Sequence, residues 1–332
     1  MPLGTMRFAR RLGLALLAVL LHAAMPGEAR ADCSTTSGSA SLGSASSFAL
    51  AASAQTAAGS TGFSCTGSLL SIASTNTITA TIASVTNSQG TQPRLHDAAT
   101  GDYIGYDICK DSSCSAAYSV GHSITWSSST FLGILGLFNA TGGTLPIYIR
   151  TQVGSQVAAG TYTSTIAVDW TWHLCSAGVG TLCIYDDDAA SSTIAVSMTV
   201  SPDCILSAPT ANFGSAAFVG SFDPVTQAIT IRCSKDAAYS VGIDDGQNFS
   251  GTRRLGSAGN YIAYEIYYPQ GSTRRWGRIG TERRSSAEAT TNAGIYTGTT
   301  DQTYSYRAEI LTGQSTPPPG TYTDTLTVDV QF

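Results

Sequence analysis

The run Gly160-Thr-Tyr-Thr-Ser-Thr-Ile-Ala-Val-Asp169 recurs near the C-terminus as Gly320-Thr-Tyr-Thr-Asp-Thr-Leu-Thr-Val-Asp329. Apolar and polar residues alternate in both copies, and this period of two predicts a β-strand with one buried and one solvated face. The alternation continues to Trp172 after the first copy and to Phe332 after the second. The repeated run therefore predicts two units that share an all-β fold.

Further matches between the two halves support the repeat. Tyr103-Ile-Gly-Tyr-Asp-Ile-Cys109 matches Tyr261-Ile-Ala-Tyr-Glu-Ile-Tyr267, and Arg94-Leu95 matches Arg254-Leu255, at offsets of 158 to 160 residues. Frequent turns, and no long amphipathic helical pattern, favour two tandem immunoglobulin-like antiparallel β-sandwich domains. The boundary falls near Ser201-Pro202, which gives domains at residues 32–201 and 202–332.

The N-terminus has the features of a signal peptide. Three arginines precede an apolar run from Leu12 to Leu21, and Ala29-Arg30-Ala31 is a cleavage site of the A-x-A type. We expect residues 1–31 to be removed. They contain four arginines and Glu28, so 13 basic and 21 acidic residues remain, and the formal charge falls from −5 to −8. An acidic exported chain argues against nucleic acid as a partner.

All eight cysteines follow the cleavage site, and an even number in an oxidising compartment predicts four disulfides. Each unit opens with two cysteines, and two further pairs lie close in the chain. The predicted bridges are Cys33–Cys65, Cys109–Cys114, Cys175–Cys183 and Cys204–Cys233. The remaining histidines are isolated and do not have zinc-finger spacing, so we expect no metal and no cofactor.

The two units end differently. In the first, the alternating segment Ser192–Val200 supplies one more strand, which closes the sandwich. The second stops at Phe332, so an open groove should lie beside its last strand, with Leu326, Val328, Val330 and Phe332 as the acceptor edge. Such a groove is completed by a strand from another chain, in donor-strand complementation. Only Asp32 precedes Cys33 after cleavage, so we expect a subunit that accepts a strand without donating one.

The second unit resembles the spore coat protein U domain family. The motifs that carry the resemblance are Cys204, Asn212-Phe213-Gly214, Cys233, Tyr239-Ser-Val-Gly-Ile-Asp-Asp-Gly246, Arg254, Tyr261-Ile-Ala-Tyr264 and the closing run from Gly320. Residues 33–190 match more loosely. The two-domain layout is similar to the tip adhesins of archaic, Csu-type chaperone–usher pili. The resemblance implies export through the periplasm to a pilus tip at the cell surface, and biofilm formation. It also implies four partners: a periplasmic chaperone, an outer-membrane usher, an adjacent pilin that donates its N-terminal strand, and an abiotic or host surface.

Apolar segments of the first unit are candidates for surface binding. In the run Phe131–Phe138, two glycines favour an exposed loop, although a buried strand with its turn remains the alternative. The Cys175–Cys183 bridge would stiffen a second loop, or serve as a staple without a binding role. Phe48-Ala-Leu50 is a third candidate, with a simple strand as the alternative. The candidate residues are Phe131, Leu132, Ile134, Leu135, Leu137, Phe138, Val179, Leu182, Ile184, Tyr185, Phe48 and Leu50.

Other functions stay open at this point. Trp126, Trp170 and Trp172 could stack on sugars in a tip lectin, although Trp170 and Trp172 share the core-facing phase of their strand. A structural coat or shaft subunit is another alternative. Asp186–Asp188 could bind calcium. Asp186–Asp188 and Asp244-Asp245 are interpreted as turns, and neighbouring acids on one loop do not form the acid/base pair of a glycosidase. No Gly-x-Ser-x-Gly elbow is present either, so we expect no enzyme. The basic cluster Arg274, Arg275, Arg278, Arg283 and Arg284 predicts a solvated loop, or a surface that docks another subunit, the chaperone or an acidic polysaccharide.

Overall fold

The computed structural model describes residues 32–60, 63–66, 70–130, 145–269 and 271–332. The predicted signal peptide and the run Phe131–Phe138 lie outside these residues. The first unit consists almost entirely of strands, which are β1 (Asp32–Ser34), β2 (Gly38–Ser46), β3 (Thr56–Ser60), β4 (Ser64–Thr66), β5 (Leu70–Val85), β6 (Ser88–Gln89), β7 (Gln92–His96), β8 (Tyr103–Cys109), β9 (Ala117–Tyr118), β10 (Ser123–Thr130), β11 (Pro146–Thr151), β12 (Gly160–Val179) and β13 (Leu182–Ser201).

The strands of the first unit form two packed sheets. One has the order β10–β5–β12–β13–β2, and the other has the order β7–β8–β11–β3. Among the described residues, the pair Thr163 with His96 joins the two sheets. Their inner faces bury one apolar core, in which Trp170, Ile82 and Ile149 are fully enclosed. The all-β sandwich predicted from the alternating pattern is confirmed in this half of the chain.

β13 fills the position between β12 and β2 in the first unit. It runs antiparallel to β12 and parallel to β2. Ile194, Val196, Met198 and Val200 all point into the core. The sequence was wrong about where this strand begins, because the expected loop between Cys175 and Cys183 is the end of a long β12–β13 hairpin. The chain turns at residues 180–181, where Gly180 has a φ of 57°, which glycine adopts without strain.

A six-residue helix, α1 (Ser47–Ala52), replaces the strand or binding loop expected around Phe48. The Ser46 hydroxyl caps the helix by accepting a hydrogen bond from the Ala49 amide at 3.2 Å. Three of its six residues are alanine, which has the highest helix propensity. Leu50 is completely buried in the core. Leu50 is therefore wrong as a candidate for surface binding.

The described residues of the second unit form eight strands and three short 3₁₀ turns. The strands are β14 (Cys204–Ser207), β15 (Val225–Cys233), β16 (Ser240–Ile243), β17 (Arg253–Ser257), β18 (Asn260–Tyr267), β19 (Arg284–Ser285), β20 (Gln302–Ile310) and β21 (Val328–Gln331). The 3₁₀ turns are Val219–Ser221, Gly280–Glu282 and Ser286–Glu288. A five-stranded sheet, β14–β15–β20–β18–β17, packs on a three-stranded sheet, β19–β16–β21. A second apolar core lies between them, with Trp276 fully buried.

The terminal strand is shorter than its alternating sequence predicts. The pattern indicates a strand that includes Leu326, but β21 begins at Val328. Upstream, the Thr327 amide donates to the side chain of Asp244, and Thr323 exchanges backbone hydrogen bonds with Gly256. Residues 323–327 therefore make isolated hydrogen bonds and no continuous β-ladder. Within the described chain, no strand pairs with the outer side of this segment.

Paired cysteines lie at equivalent places in the two units. Cys33 faces Cys65 in the β1–β4 ladder, and Cys204 faces Cys233 in the β14–β15 ladder. Disulfides join Cys204 to Cys233 and also link Cys109–Cys114 and Cys175–Cys183. Cys33 is disulfide-bonded as well.

The two units meet at the end of the first sandwich that carries α1. β13 ends at Ser201 and β14 begins at Cys204, so the connection is short. Across the junction the hydroxyls of Ser47 and Ser234 lie 2.5 Å apart, and Lys235 forms an ion pair with Asp102. Phe48 lies beside Ser234 and Lys235 at the same place. Phe48 is thus a junction residue, which removes it as a candidate for contact with an external surface.

Candidate functional site: an open groove and an apolar hairpin

A groove of about 370 Å³ opens between the two sheets of the second unit. Residues 208–211 and Phe213 form one wall, and residues 324–326 with Val328 form the other. The floor is apolar and is made by Ile229, Ile243, Leu255, Tyr264, Ile266, Tyr306 and Ala308. The groove has the lining of a site for an extended, largely apolar segment.

β21 forms the edge of this groove. Among the described strands it pairs with β16 alone, through the pairs from Ile243 with Val328 to Ser240 with Gln331. Leu326, Val328 and Val330 are half-buried and pack against the core, whereas Phe332 is mostly exposed. An edge of this kind leaves backbone donors and acceptors available to a further strand.

The first unit contains the same site in a filled state. Its strand β12 is the repeat of the segment that ends in β21, and β13 lies against it. The single bridge from Thr163 to His96 in the first unit has its counterpart in the bridge from Thr323 to Gly256, at an offset of 160 residues for both partners. The open groove of the second unit is therefore the space that β13 occupies in the first.

A tyrosine reaches the wall of this space in both units. Tyr106 donates from its hydroxyl to Ser164 at 3.1 Å, and Tyr264 donates to Asp324 at 2.8 Å. Burial raises the pKa of Tyr106 to about 12. The pKa of Tyr264 is also raised, first by burial and then by its hydrogen bond to the Asp324 carboxylate. Sequence reasoning missed Asp324, although the repeat places it at the position of Ser164.

The arginine cluster is only partly a solvated loop, because Arg283 and Arg284 lie in the core of the second unit whereas the other three arginines are exposed or half-buried. Arg284 is buried, with its guanidinium 4.7–5.1 Å from the ring centres of Tyr268, Trp276 and Tyr304. Burial lowers the pKa of this guanidinium. The sequence could not show this arrangement, because the rings come from separate segments that meet only in the folded domain.

Three more members of the cluster are held by acidic partners. Arg283 is buried and donates to Asp329 of β21 at 2.8 Å, and Arg275 donates to Glu265 at 2.9 Å and to Glu282 at 2.5 Å. Arg274 pairs with Glu288 at 2.5 Å. Most of the positive charge is thus balanced within the domain, and the Arg283 contact fixes the groove edge.

The far end of the β12–β13 hairpin is apolar and exposed. The exposed fractions are 60% for Val179, 85% for Leu182 and 71% for Ile184. Tyr185 is half-buried, and its ring stacks on His173 with 3.8 Å between the ring centres. The Cys175–Cys183 disulfide ties the two strands together next to these side chains.

Strand β10, which precedes a second candidate segment in the sequence, ends at the same end of the first unit. Thr130, at the end of β10, is the register partner of Ile72, and Ile72 is also the register partner of Val179. The described part of β10 therefore ends beside the hairpin end, one residue before Phe131. The segment Phe131–Phe138 lies outside the described ranges, so its role in binding stays a prediction.

The tryptophans proposed for sugar stacking are enclosed by the core of the first unit. Trp126, Trp170 and Trp172 are all buried, and Trp126 and Trp170 stack on each other with centroids 6.1 Å apart. The Trp170 indole donates to the Ser192 hydroxyl at 2.9 Å. These rings offer no face to an external sugar, so stacking on them is wrong as a binding mode.

The acidic run Asp186–Asp188 lies in β13 and not in a turn. Asp186 accepts a hydrogen bond from the Trp172 indole at 3.2 Å, and Asp187 contacts His173 at 2.5 Å. Across the described parts of the chain, no group of three or more His, Cys, Asp or Glu residues is arranged to hold a metal ion. Within the same ranges, no helix has the length and apolar composition that a membrane crossing needs.

Comparison with known families identifies the fold. The model of the Spore Coat Protein U domain matches residues 21–169 and again residues 190–329, so both units are covered. The chain belongs to this family. No curated protein matches the sequence.

Among solved structures, the chain is similar to one from the CsuC–CsuE chaperone–tip adhesion subunit pre-assembly complex of the archaic chaperone–usher Csu pili of Acinetobacter baumannii. The identity is 28% and the TM-score is 0.62, over 91% of this chain and 100% of that one. A chaperone–tip adhesin complex described for CFA/I fimbriae matches at 6% identity and a TM-score of 0.27, over 76% of this chain and 83% of that one. That second likeness is too low to carry an argument.

Proposed function

We propose that this chain is the tip adhesin subunit of a chaperone–usher pilus. The observation that carries the proposal is the contrast between the units: β13 fills the space beside β12, whereas the equivalent space beside β21 is an open apolar groove. Membership of the Spore Coat Protein U family and the likeness to the Csu complex over the whole length of the solved chain support it. A pilus subunit has no need of catalysis.

The second unit joins the fibre by accepting a donor strand. The segment would lie antiparallel to β21 and parallel to residues 208–213, as β13 lies between β12 and β2. During export a periplasmic chaperone would occupy the groove, and at the outer-membrane usher the N-terminal strand of the adjacent pilin would replace it. β-augmentation of this kind satisfies the open edge and buries the groove floor.

The first unit binds surfaces through its apolar end. Val179, Leu182 and Ile184 expose apolar area on a hairpin that a disulfide holds rigid, and rigid contacts lose little conformational entropy on binding. The adjoining segment 131–138 would extend this patch. Burial of apolar side chains needs no specific chemical partner, so the pilus would attach to abiotic or host surfaces and promote biofilm formation.

Attachment of piliated cells to polystyrene tests the adhesive role. Leu182→Ser with Ile184→Ser should lower attachment several-fold while the number of pili stays the same. Val153→Ser is the matched control for Val179→Ser, because both valines are 60% exposed. Val153 lies near the junction of the two units and not at the hairpin end, since the amide of its neighbour Gly154 donates to the Ala51 carbonyl. If the Val179→Ser variant and the Leu182→Ser/Ile184→Ser variant both attach as well as the Val153→Ser control, the hairpin end is not the surface-binding site.

A further inference from the structure

Asp324 introduces a charge into the wall of the groove that the filled unit does not have. At the equivalent position of the first unit stands Ser164, whose direct partner on β13 is Val196. Both side chains are buried there. A carboxylate at position 164 would be enclosed against an apolar side chain, which is strongly unfavourable without a compensating partner. Serine thus stands at this position in the unit whose space is filled, and aspartate stands there in the unit whose groove is open.

The surroundings of Asp324 form a defined site. One carboxylate oxygen accepts the Tyr264 hydroxyl at 2.8 Å, and the other accepts the Gln247 amide at 2.9 Å. Gly246 allows the close approach of this loop, because its φ is +79° and a Cβ atom there would lie 2.1 Å from Asp324 Oδ2. All these donors are neutral or backbone groups. Among the described residues, no Lys, Arg or His nitrogen pairs with Asp324.

A strand that fills the groove would remove the remaining water from this carboxylate. The repeat fixes which residues of that strand face which wall residues. Tyr162 faces Met198, Ser164 faces Val196 and Ile166 faces Ile194 in the first unit. The corresponding wall residues of the second unit are Tyr322, Asp324 and Leu326, at an offset of 160 in every case.

We infer that the strand filling this groove carries a lysine or arginine opposite Asp324, with an apolar residue two positions away on each side. Directly opposed residues on one face of an antiparallel pair have Cβ atoms about 5 Å apart, where opposite charges stabilise the pairing. The apolar neighbours pack on Leu326 and Tyr322 and on the groove floor. The occupant is the donor segment of an adjacent pilus subunit. This inference rests on the proposed function, since it specifies the sequence of the strand that the groove accepts.

The test uses the full mature chain with a strand appended after Phe332. An Asn-Gly turn followed by a copy of residues 188–201 restores the register of the first unit, because Trp172 faces Asp188 there and Phe332 is its repeat. Three versions of the appended copy carry Val, Lys or Glu at the position of Val196. Each version is made on the natural chain and on Asp324→Ser, which restores the residue of the first unit. A copy shifted by one residue, which turns its apolar face outward, is the control.

The readout is the Tm of the second unit in each chain. With Asp324 present, the Lys copy should raise Tm above that of the Val copy by about 3 °C or more, and the Glu copy should give the lowest value. In Asp324→Ser the order of Lys and Val should reverse. The inference is wrong if the Val copy gives a Tm equal to or above that of the Lys copy opposite Asp324, or if Asp324→Ser leaves the order of the two Tm values unchanged. Either result would still allow the groove to accept a strand. If no in-register copy gives a Tm above that of the shifted control, the groove accepts no strand, and the proposed function is wrong as well.

Discussion

The Tyr264 hydroxyl donates a 2.8 Å hydrogen bond to the Asp324 carboxylate at the wall of an open groove. The equivalent tyrosine of the first unit, Tyr106, donates to Ser164 in a space that β13 already fills. Two copies of one fold thus keep the same contact, with a neutral acceptor in the closed copy and a charged acceptor in the open one.

Tyr264→Phe should destabilise the second unit by about 2 kcal/mol, because a buried hydroxyl that donates to a carboxylate is lost. Tyr106→Phe is the matched control in the first unit. Its acceptor is a neutral hydroxyl, so we expect a loss of about 1 kcal/mol. Equilibrium urea unfolding of the two variants measures both values. A smaller loss for Tyr264→Phe than for Tyr106→Phe would contradict the charged character of the Asp324 contact.

Arg283→Ala should weaken the groove edge. Its guanidinium is buried, donates to Asp329 at 2.8 Å and to the Ser240 carbonyl at 2.9 Å, and so holds β21 on β16. Removal of one partner from a buried ion pair costs about 3 kcal/mol.

Arg278→Ala provides the comparison for this prediction. Its side chain is 59% exposed and lies 3.7 Å from the same carboxylate, and an exposed pair contributes about 0.5 kcal/mol. Urea unfolding of both variants should separate them by about 2 kcal/mol or more. Similar losses would show that Arg283 does not anchor the edge.

The first unit should lose stability in acid through Asp97. Hydrogen bonds, foremost from the Thr100 amide and then from the Thr161 amide, lower the pKa of this carboxyl below 3.8, and burial only partly opposes them. A lowered folded-state pKa means that the native carboxylate binds fewer protons than the unfolded one. Its contribution is therefore present above pH 3.8 and is lost as the pH falls through the lower folded-state value.

Asp97→Asn should flatten this dependence below pH 3.8, although it lowers stability at neutral pH. Asp169→Asn, which alters an exposed carboxylate of β12, is the control and should keep the acid slope of the natural chain. Thermal unfolding across this pH range provides the measurement. An unchanged slope in Asp97→Asn would assign the acid sensitivity to other groups.

The repeat and the period of two predicted much of this fold. They predicted strands around residues 166–172 and 192–200, the closure of the first unit and the unclosed edge beside Val328. These predictions succeed because the alternation of buried and solvated side chains is a local property of a strand. The length of β21 was overestimated, since pairing depends on a neighbouring strand as well as on the pattern.

Other features depend on contacts between distant segments. Arg284 reads as a surface charge in the sequence, yet rings from Tyr268, Trp276 and Tyr304 enclose it. Leu50 reads as part of a strand or an exposed loop, whereas a serine cap and alanines place it in a short helix over the core. Asp324 was visible in the repeat as a replacement for Ser164. Its significance depends on the groove, which is a property of the folded domain.

Amide hydrogen exchange along residues 320–331 tests the central claim most directly. The mature monomeric chain is compared with the chain that carries the appended, in-register copy of residues 188–201 with lysine at the position of Val196. The account predicts fast exchange in this segment of the monomer and protection at least about tenfold greater with the appended strand, while the shifted copy gives no protection. Slow exchange in the monomer, equal to that of residues 160–171 in the first unit, would contradict an open strand-accepting edge.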